Sequence, residues 1–168
     1  MTTTNDPHIT AIRQQVSTSY EELQQLLDKP IATLPPARLY QPPAADEWTI
    51  MENLAHIVEF MPYWAEEIAQ LVSQPGKQFG RTTKHAGRLN AIKEHSPDTL
   101  EQAKAQLPAS YARLDQVLSS LHDQDLALVG HHPKLGAQTL AWFIDDFVTR
   151  HLANHVAQIK EIIQQVVQ

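Results

Sequence analysis

The sequence predicts an all-α fold, a four-helix bundle, from three observations. Four long stretches carry apolar residues at helical spacing. Only 5 glycines are spread over 168 residues, so long stretches contain no helix breaker. No stretch shows the strict alternation that is typical of strands. A length of 168 residues with 42% hydrophobic and 19% charged residues fits one globular domain, which we assign to residues 1–168.

The first two helices are predicted from their start and stop signals. Asp6 is the expected N-cap of the first helix, with a proline in the first helical position, and Pro30 ends it. Five prolines over residues 30–48 exclude a helix interior there. The second helix begins in "TIME", where Thr49 and Glu52 have the spacing of a capping box.

The second half of the chain contains two more predicted helices and two long connections. Residues 73–95 are predicted to be a loop, and the third helix follows with Ser96 as its N-cap. Another long connection covers residues 122–138, and the fourth helix runs from about Thr139 to the C-terminus. Connections of this length predict crossovers between helices that are not adjacent in the bundle.

Two histidines of the fourth helix, His151 and His155, fall in the middle of its apolar stripe on a helical wheel. They are four residues apart, so their rings lie on the same side of the helix. Buried rings must stay neutral and find polar partners. A divalent metal would satisfy both rings, because neutral imidazoles are good ligands. The alternative is two core histidines, each hydrogen bonded to a carbonyl or a neighbouring side chain.

A third ligand would have to come from another helix, and His56 is the best candidate. It lies within the second predicted helix, at the edge of the apolar arc beside Asn53. A surface histidine with a hydrogen bond is the alternative at that position. His131 and His132, in "GHHPKLG", are predicted to be solvent-exposed turn residues, although a pocket mouth or a fourth ligand would also suit them.

Charge and composition exclude several classes of function. The net charge is -6 and no cluster of Lys and Arg stands out, so we expect no nucleic-acid partner. The absence of cysteine excludes disulfides, thiolate metal sites and a cysteine nucleophile. No apolar run approaches the length of a membrane span and "MTTTNDPHIT" is unlike a signal peptide, so we expect a cytoplasmic protein without membrane contact.

Two segments, "EWTIMENLAHIVEF" and "LGAQTLAWFIDDFVTRHLANHVAQI", resemble the DinB-like family that includes the YfiT-type proteins. The resemblance covers nearly the whole chain. It implies a bundle with up-down-down-up topology that is often homodimeric. It also implies a three-histidine metal site, which carries over to His56, His151 and His155, with open positions for water or substrate. Zinc and nickel are the metals that the resemblance implies.

The resemblance also implies an activity. Characterised relatives transfer low-molecular-weight thiols or use them in isomerisations, and others look like metal-dependent hydrolases. We therefore predict a metal-dependent thiol S-transferase that acts on a small-molecule electrophile with a low-molecular-weight thiol. The alternatives are a metal-dependent hydrolase and a non-catalytic dimeric bundle whose metal is structural or lost. The apolar third helix and the C-terminal segment would suit a dimer interface, or equally ordinary core packing.

No general base is assigned from the sequence. Glu59 and Asp146 are expected on solvated or capping faces. A di-iron carboxylate site is rejected, because it needs Glu-x-x-His on two helices and the closest arrangement here, His56-x-x-Glu59, has the reverse order. Other polar residues near the histidines in sequence are Tyr63, Asp145 and Asn154.

Overall fold

A computed structural model describes residues 6–167 of the protein, with side chains described up to residue 165. The helices are α1 (Pro7–Asp28), α2 (Ile50–Ser73), α3 (Ala86–His95), α4 (Leu100–Ser119), α5 (Leu140–Ile144) and α6 (Arg150–Val167). The strands β1 (Val129–His132) and β2 (Gly136–Thr139) pair as an antiparallel hairpin. None of the helices over residues 6–167 is both long and apolar enough to cross a membrane.

The directions of the long helices follow from pairs of residues that meet across them. Helix α4 runs antiparallel to α1 and parallel to α2. The pairs are Arg13 with Asp115, Lys104 with Asp28, the Ser110 hydroxyl with the carbonyl of Val58, and Arg113 with Glu66. Helix α6 runs antiparallel to α2, because His151 meets His56 whereas His155 meets Asn53.

These directions confirm the predicted up-down-down-up topology, with α5 and α6 forming the fourth long element. Helices α1 and α2 each pack against both α4 and α6, so the chain crosses the bundle between α1 and α2 and again between α4 and α6. The neighbours α2 and α4 are parallel, so their connection returns along the length of the bundle. The long connections that the sequence shows are therefore needed to span it. The predicted stripe of α2 is buried along its whole length, at Ile50, Leu54, Ile57, Met61, Ala65, Ile68 and Leu71.

The predicted start of the third long helix is wrong by one turn. The Thr99 hydroxyl accepts a hydrogen bond from the Gln102 backbone N–H, and the Gln102 side chain accepts one from the Thr99 N–H. This reciprocal capping box places the first helical residue at Leu100. Ser96, which the sequence favoured as N-cap, instead ends the preceding helix by donating its backbone N–H to the carbonyl of Ile92.

Two regions that the sequence predicted to be loops contain regular structure. Residues 86–95 form α3, which packs against α2 and buries only Ile92, so it lacks the apolar stripe that predicts a helix. The hairpin β1–β2 pairs further with an extended segment before α3: the N–H of Phe79 donates to His131, and the N–H of His131 donates to Lys77. Each strand has only four residues, and β1 also pairs with a segment distant in sequence, so no local alternation marks them.

The fourth predicted helix contains a π-helical turn, Asp145–Thr149, between α5 and α6. When the whole fourth helix is projected on one helical wheel, the buried residues after this turn are centred roughly 90° away from those before it. This shift is close to the ~100° that one extra residue contributes. His155 consequently stays in the buried arc, whereas His151 lies at its edge and is half-buried. The expectation that both rings lie mid-stripe is wrong for His151.

Candidate metal centre

Three histidines from two helices converge on one point of the bundle. His56 comes from the middle of α2, and His151 and His155 come from the first two turns of α6. One ligand atom from each ring lies within 4.8 Å of the others. The Nε2 atoms of His56 and His151 are 3.1 Å apart. The three residues that the sequence and the family resemblance indicated are therefore neighbours in the structure.

The two α6 histidines are oriented by hydrogen bonds from their Nδ1 atoms. The Nδ1 of His155 donates to Oδ1 of Asn53 at 2.8 Å, and the amide nitrogen of the buried Asn53 donates to the carbonyl of Thr49 at 2.9 Å. The Nδ1 of His151 donates to the carbonyl of Phe147 at 3.2 Å. An imidazole that donates from Nδ1 presents an unprotonated Nε2, so both rings offer a lone pair to the centre.

His56 is supported by the half-buried carboxylate of Glu59. Its Nδ1 lies 3.6 Å from Oε2 of Glu59, and neither of these buried atoms has another hydrogen-bond partner among the described residues. The other oxygen of Glu59 accepts a hydrogen bond from Arg81, whose guanidinium lies 3.6 Å from the centroid of the Tyr63 ring. The expectation of a solvated Glu59 is wrong, because Arg81 reaches it from the segment before α3.

His132 holds the segment that carries Arg81. Its ring is buried, its Nε2 donates to the carbonyl of Arg81 at 3.1 Å, and its Nδ1 accepts from the backbone N–H groups of Lys134 and Leu135. The expectation of an exposed turn histidine is wrong for His132, because the hairpin folds it inward. His131 is exposed as expected, and neither ring belongs to the three-histidine group.

The remaining polar candidates lie on the outer face of the fourth helix. Asp145 and Asp146 both pair with the exposed Arg150 at 2.8 Å, as expected for a solvated face, and Asn154 is exposed. Among the polar residues that the sequence singled out as possible helpers, only Glu59 contacts the histidine cluster.

Burial keeps the three rings neutral. Together with the neighbouring rings, it lowers the pKa of His155 to about 3 and that of His151 to about 4. The pKa of His56 is also lowered by burial. Burial opposes ionisation of Glu59, but its hydrogen bonds to His56 and Arg81 outweigh this and lower its pKa. At neutral pH the centre therefore holds neutral imidazoles with one half-buried carboxylate behind them.

This donor set fits a divalent metal ion. Neutral imidazoles suit zinc, nickel and other late first-row ions, whereas magnesium and calcium prefer oxygen ligands. The 3.1 Å between the Nε2 atoms of His56 and His151 is close to the ~3.4 Å that separates two nitrogen ligands on tetrahedral zinc. Three protein ligands leave at least one coordination position open, as in catalytic zinc sites.

A cavity of about 440 Å³ lies beside the histidine cluster. Trp48, Asn53, Arg88 and His155 are among its lining residues. The Trp48 ring stacks on His155 with centroids 5.7 Å apart and meets His56 edge-on at 5.2 Å. Sequence reasoning included Trp48 only as part of the family motif. Arg88 was not predicted as a site residue, because α3 lacks the apolar stripe that would have indicated a helix there.

Fold and site together define a four-helix-bundle protein with a three-histidine centre, two of whose rings are buried, beside a cavity. Residues 7–159 match the sequence model of the DinB superfamily, so the chain belongs to this superfamily. A relative, the uncharacterized protein YuaE of Bacillus subtilis (strain 168), is 26% identical over 158 residues, which cover 88% of this chain and 92% of YuaE.

Two solved structures share the fold. One is YfiT from Bacillus subtilis, described as a probable metal-dependent hydrolase with an unusual four-helix bundle topology. It superposes with a TM-score of 0.78 at 14% identity, covering 99% of this chain and 92% of YfiT. The other is TT2238, described as a four-helix bundle protein, with a TM-score of 0.64 at 19% identity, covering 91% of this chain and 98% of TT2238. At these identities the likeness shows the fold alone.

Proposed function

We propose that this protein is a metal-dependent enzyme that transfers a low-molecular-weight thiol to a small-molecule electrophile. His56, His151 and His155 would hold a zinc or nickel ion. The observation that carries the proposal is the convergence of three neutral rings beside a cavity of about 440 Å³. A bound divalent ion supplies a Lewis acid that keeps a thiol deprotonated at neutral pH.

The chain's own residues prepare the site for this chemistry. Asn53 and the Phe147 carbonyl fix the orientation of two rings, and Glu59 faces the third. Trp48 packs against His56 and His155, so it shields one side of the cluster from water. The cavity volume lies within the range of small-molecule sites. Since the chain contains no cysteine, the sulfur nucleophile has to come from a cosubstrate.

The surroundings of Glu59 favour thiol transfer over hydrolysis. Attack by a thiolate needs no general base at the site, whereas attack by water is helped by one. Glu59, the carboxylate that contacts the cluster, lies on the Nδ1 side of His56 and is paired with Arg81. A metal-dependent hydrolase is the second candidate, which the likeness to YfiT supports. A bundle with a purely structural metal is the third.

The test begins with the metal content of untagged protein, measured by elemental mass spectrometry after reconstitution with zinc or nickel. We expect about one divalent ion per chain. His151→Ala should lose it, and the matched control His131→Ala, at an exposed histidine outside the cluster, should keep it. A wild-type protein without stoichiometric metal would overturn the proposal.

A turnover assay then separates the three candidates. A panel of low-molecular-weight thiols is combined with an electrophilic aryl chloride, and an ester is supplied separately without thiol. Metal- and thiol-dependent consumption of the chloride supports transfer, and ester hydrolysis without thiol supports the hydrolase. Unfolding on chelation without turnover in either assay supports a structural metal.

We further propose that the protein is a homodimer, on the basis of the family resemblance. Sedimentation equilibrium should then give a mass near twice the 18.9 kDa of the chain. A mass of 18.9 kDa across the concentration range would contradict this part of the proposal.

A further inference from the structure

Arg88 is a half-buried cation at the cavity and forms no salt bridge with a carboxylate of the described side chains, although Glu59 lies near enough to act on its charge. Its Nη1 donates to the carbonyl of Thr83 at 3.0 Å, and its guanidinium lies 5.3 Å from the centroid of the Trp48 ring. Burial lowers its pKa, which shows that the charge is partly desolvated. By contrast, a carboxylate pairs with each of Arg13, Arg81, Arg113 and Arg150. A planar cation in this state is suited to receive a carboxylate from a ligand.

The other charged residues of the cavity are acidic. Asp46, Glu47 and Glu161 line it, and no salt bridge involves any of them within the described part of the chain. The cavity has three carboxylates and one guanidinium, so it repels a ligand that carries only negative charge. A ligand that carries only positive charge would leave Arg88 without a partner. A molecule with both an ammonium and a carboxylate group complements both parts.

The distance from this cation to the histidines is short, because one indole ring contacts both. Trp48 faces Arg88 and also stacks on His155. The guanidinium carbon of Arg88 and the centre of the His155 ring are therefore at most about 11 Å apart, which bounds the length of a ligand that joins them. An amino acid with a short functional side chain fits within this bound.

We propose that Arg88 binds the carboxylate of the substrate, and that this substrate is a small amino-acid-type zwitterion. Its ammonium group faces the acidic side of the cavity, and its side chain reaches the three histidines. The identification of that side chain as a thiol rests on the proposed function. Recognition of the carboxylate by Arg88 does not depend on it.

The test uses four small thiols that differ in their charged groups. L-Cysteine carries ammonium and carboxylate, cysteamine lacks the carboxylate, 3-mercaptopropionate lacks the ammonium, and 2-mercaptoethanol lacks both. Binding to zinc-loaded protein is measured by isothermal titration calorimetry. We expect cysteine to bind at least ten times more tightly than cysteamine or 3-mercaptopropionate. Equal affinities for cysteine and cysteamine would overturn the role of Arg88, and equal affinities for cysteine and 3-mercaptopropionate would overturn the zwitterion.

Variants at Arg88 test the residue itself. Arg88→Gln should remove the preference for cysteine over cysteamine while leaving the affinity for cysteamine within about twofold. Arg88→Lys keeps the charge and should retain part of the preference. Arg38→Gln, at an exposed arginine that does not line the cavity, is the matched control and should change neither affinity. A preference that survives in folded Arg88→Gln protein would overturn the inference.

Titrations of metal-free protein separate this inference from the proposed function. L-Serine and ethanolamine repeat the comparison of a zwitterion with a cation, without a thiol. If the protein binds no metal but prefers serine through Arg88, the proposed function fails and the carboxylate site stands. If metal and thiols bind with no preference for a carboxylate, the inference fails and the proposed function stands.

Discussion

Each histidine of the cluster directs its Nδ1 atom to a different partner: an amide oxygen, a backbone carbonyl or a carboxylate. The amide and the carbonyl are neutral, so they fix ring orientation without adding charge. Glu59 adds a negative charge behind His56, which makes that imidazole a better electron donor. Among the three partners, the carboxylate of Glu59 therefore has the strongest electrostatic effect on a bound cation.

We predict that Glu59→Gln weakens zinc binding by about 10–100-fold, because the carboxylate no longer supports His56. Affinity is measured by competition with a chromophoric chelator, on protein shown to be folded by circular dichroism. Glu66→Gln is the matched control, since Glu66 lies on the same helix but forms an exposed pair with Arg113. Equal zinc affinities in wild-type protein and Glu59→Gln would contradict the prediction.

Metal-free protein should become less stable as the pH falls below neutrality. Burial lowers the folded-state pKa of His155 to about 3 and that of His151 to about 4, against 6.5 in an unfolded chain. Between pH 6.5 and about 4 the unfolded chain therefore binds protons that the folded chain excludes, and stability is lost. Each ring contributes at most about 1.4 kcal/mol per pH unit.

The measurement is the free energy of unfolding in urea at several pH values, with a chelator present. The double variant His151→Gln/His155→Gln should show a shallower decline than the wild type over the same range. Identical slopes for the two proteins would show that these rings are not held neutral by burial.

At the level of the elements, helix ends are set by reciprocal hydrogen bonds rather than by the order of residue types. Thr49 with Glu52 and Thr99 with Gln102 both form complete capping boxes. Only the first was predicted, because "SPDTLEQ" offers both Ser96 and Thr99 as caps. The choice between them depends on where α3 ends, which the sequence does not reveal.

Two alanine substitutions test which residue caps the N-terminus of α4. Thr99→Ala removes the side-chain cap and should lower the free energy of unfolding by about 1 kcal/mol. Ser96→Ala should change it by no more than about 0.5 kcal/mol, since no hydrogen bond of its side chain caps α4. Urea denaturation of both variants provides the measurement. If Ser96→Ala lowered the free energy of unfolding more than Thr99→Ala does, Ser96 would be the N-cap of α4, as the sequence first favoured.

The π-helical turn Asp145–Thr149 determines how the fourth helix presents its histidines. The turn rotates the buried arc, so the residues before and after it use different faces to contact the core. His151 is thereby placed at the edge of the arc, facing His56, while His155 stays beneath Trp48. Wheel projection at a constant angle cannot detect this change, because it depends on how the two halves pack.

At the level of the whole molecule, the histidine cluster connects two helices that are far apart in sequence. His56 lies on α2 and the other two rings lie on α6, with about 95 residues between them. An ion that binds all three rings binds only the folded bundle tightly. Metal binding is therefore expected to stabilise the whole fold.

We predict that zinc at about 100 times its dissociation constant adds about 2.7 kcal/mol to the free energy of unfolding. For a domain of this size, that raises the melting temperature by about 5–10 °C. Differential scanning calorimetry with and without zinc measures the shift. Magnesium should have no such effect, because it prefers oxygen ligands. His151→Ala should show no zinc shift, and a full shift in that variant would place the bound ion elsewhere.

The sequence by itself determined the features that depend on local spacing and residue chemistry. The α2 stripe, the Thr49 cap, the up-down-down-up bundle and the three histidine positions were all accessible from periodicity, cap signals and the family resemblance. The stripe and the cap follow from residues within a few turns of one helix, whereas the topology is implied by the family resemblance, which also supports the histidine set. The unbroken apolar stripe of α2 is the clearest case, since it also predicts which helix lies most deeply in the core.

Only the tertiary structure decided which groups surround the histidines. Arg81 reaches Glu59 because His132 holds its backbone, and Arg88 reaches the cavity because α3 packs on α2. These contacts join residues that no local pattern relates, and their free energy arises only when the chain has folded. The histidine positions are thus a property of the sequence, whereas the charge and shape around them come from long-range packing.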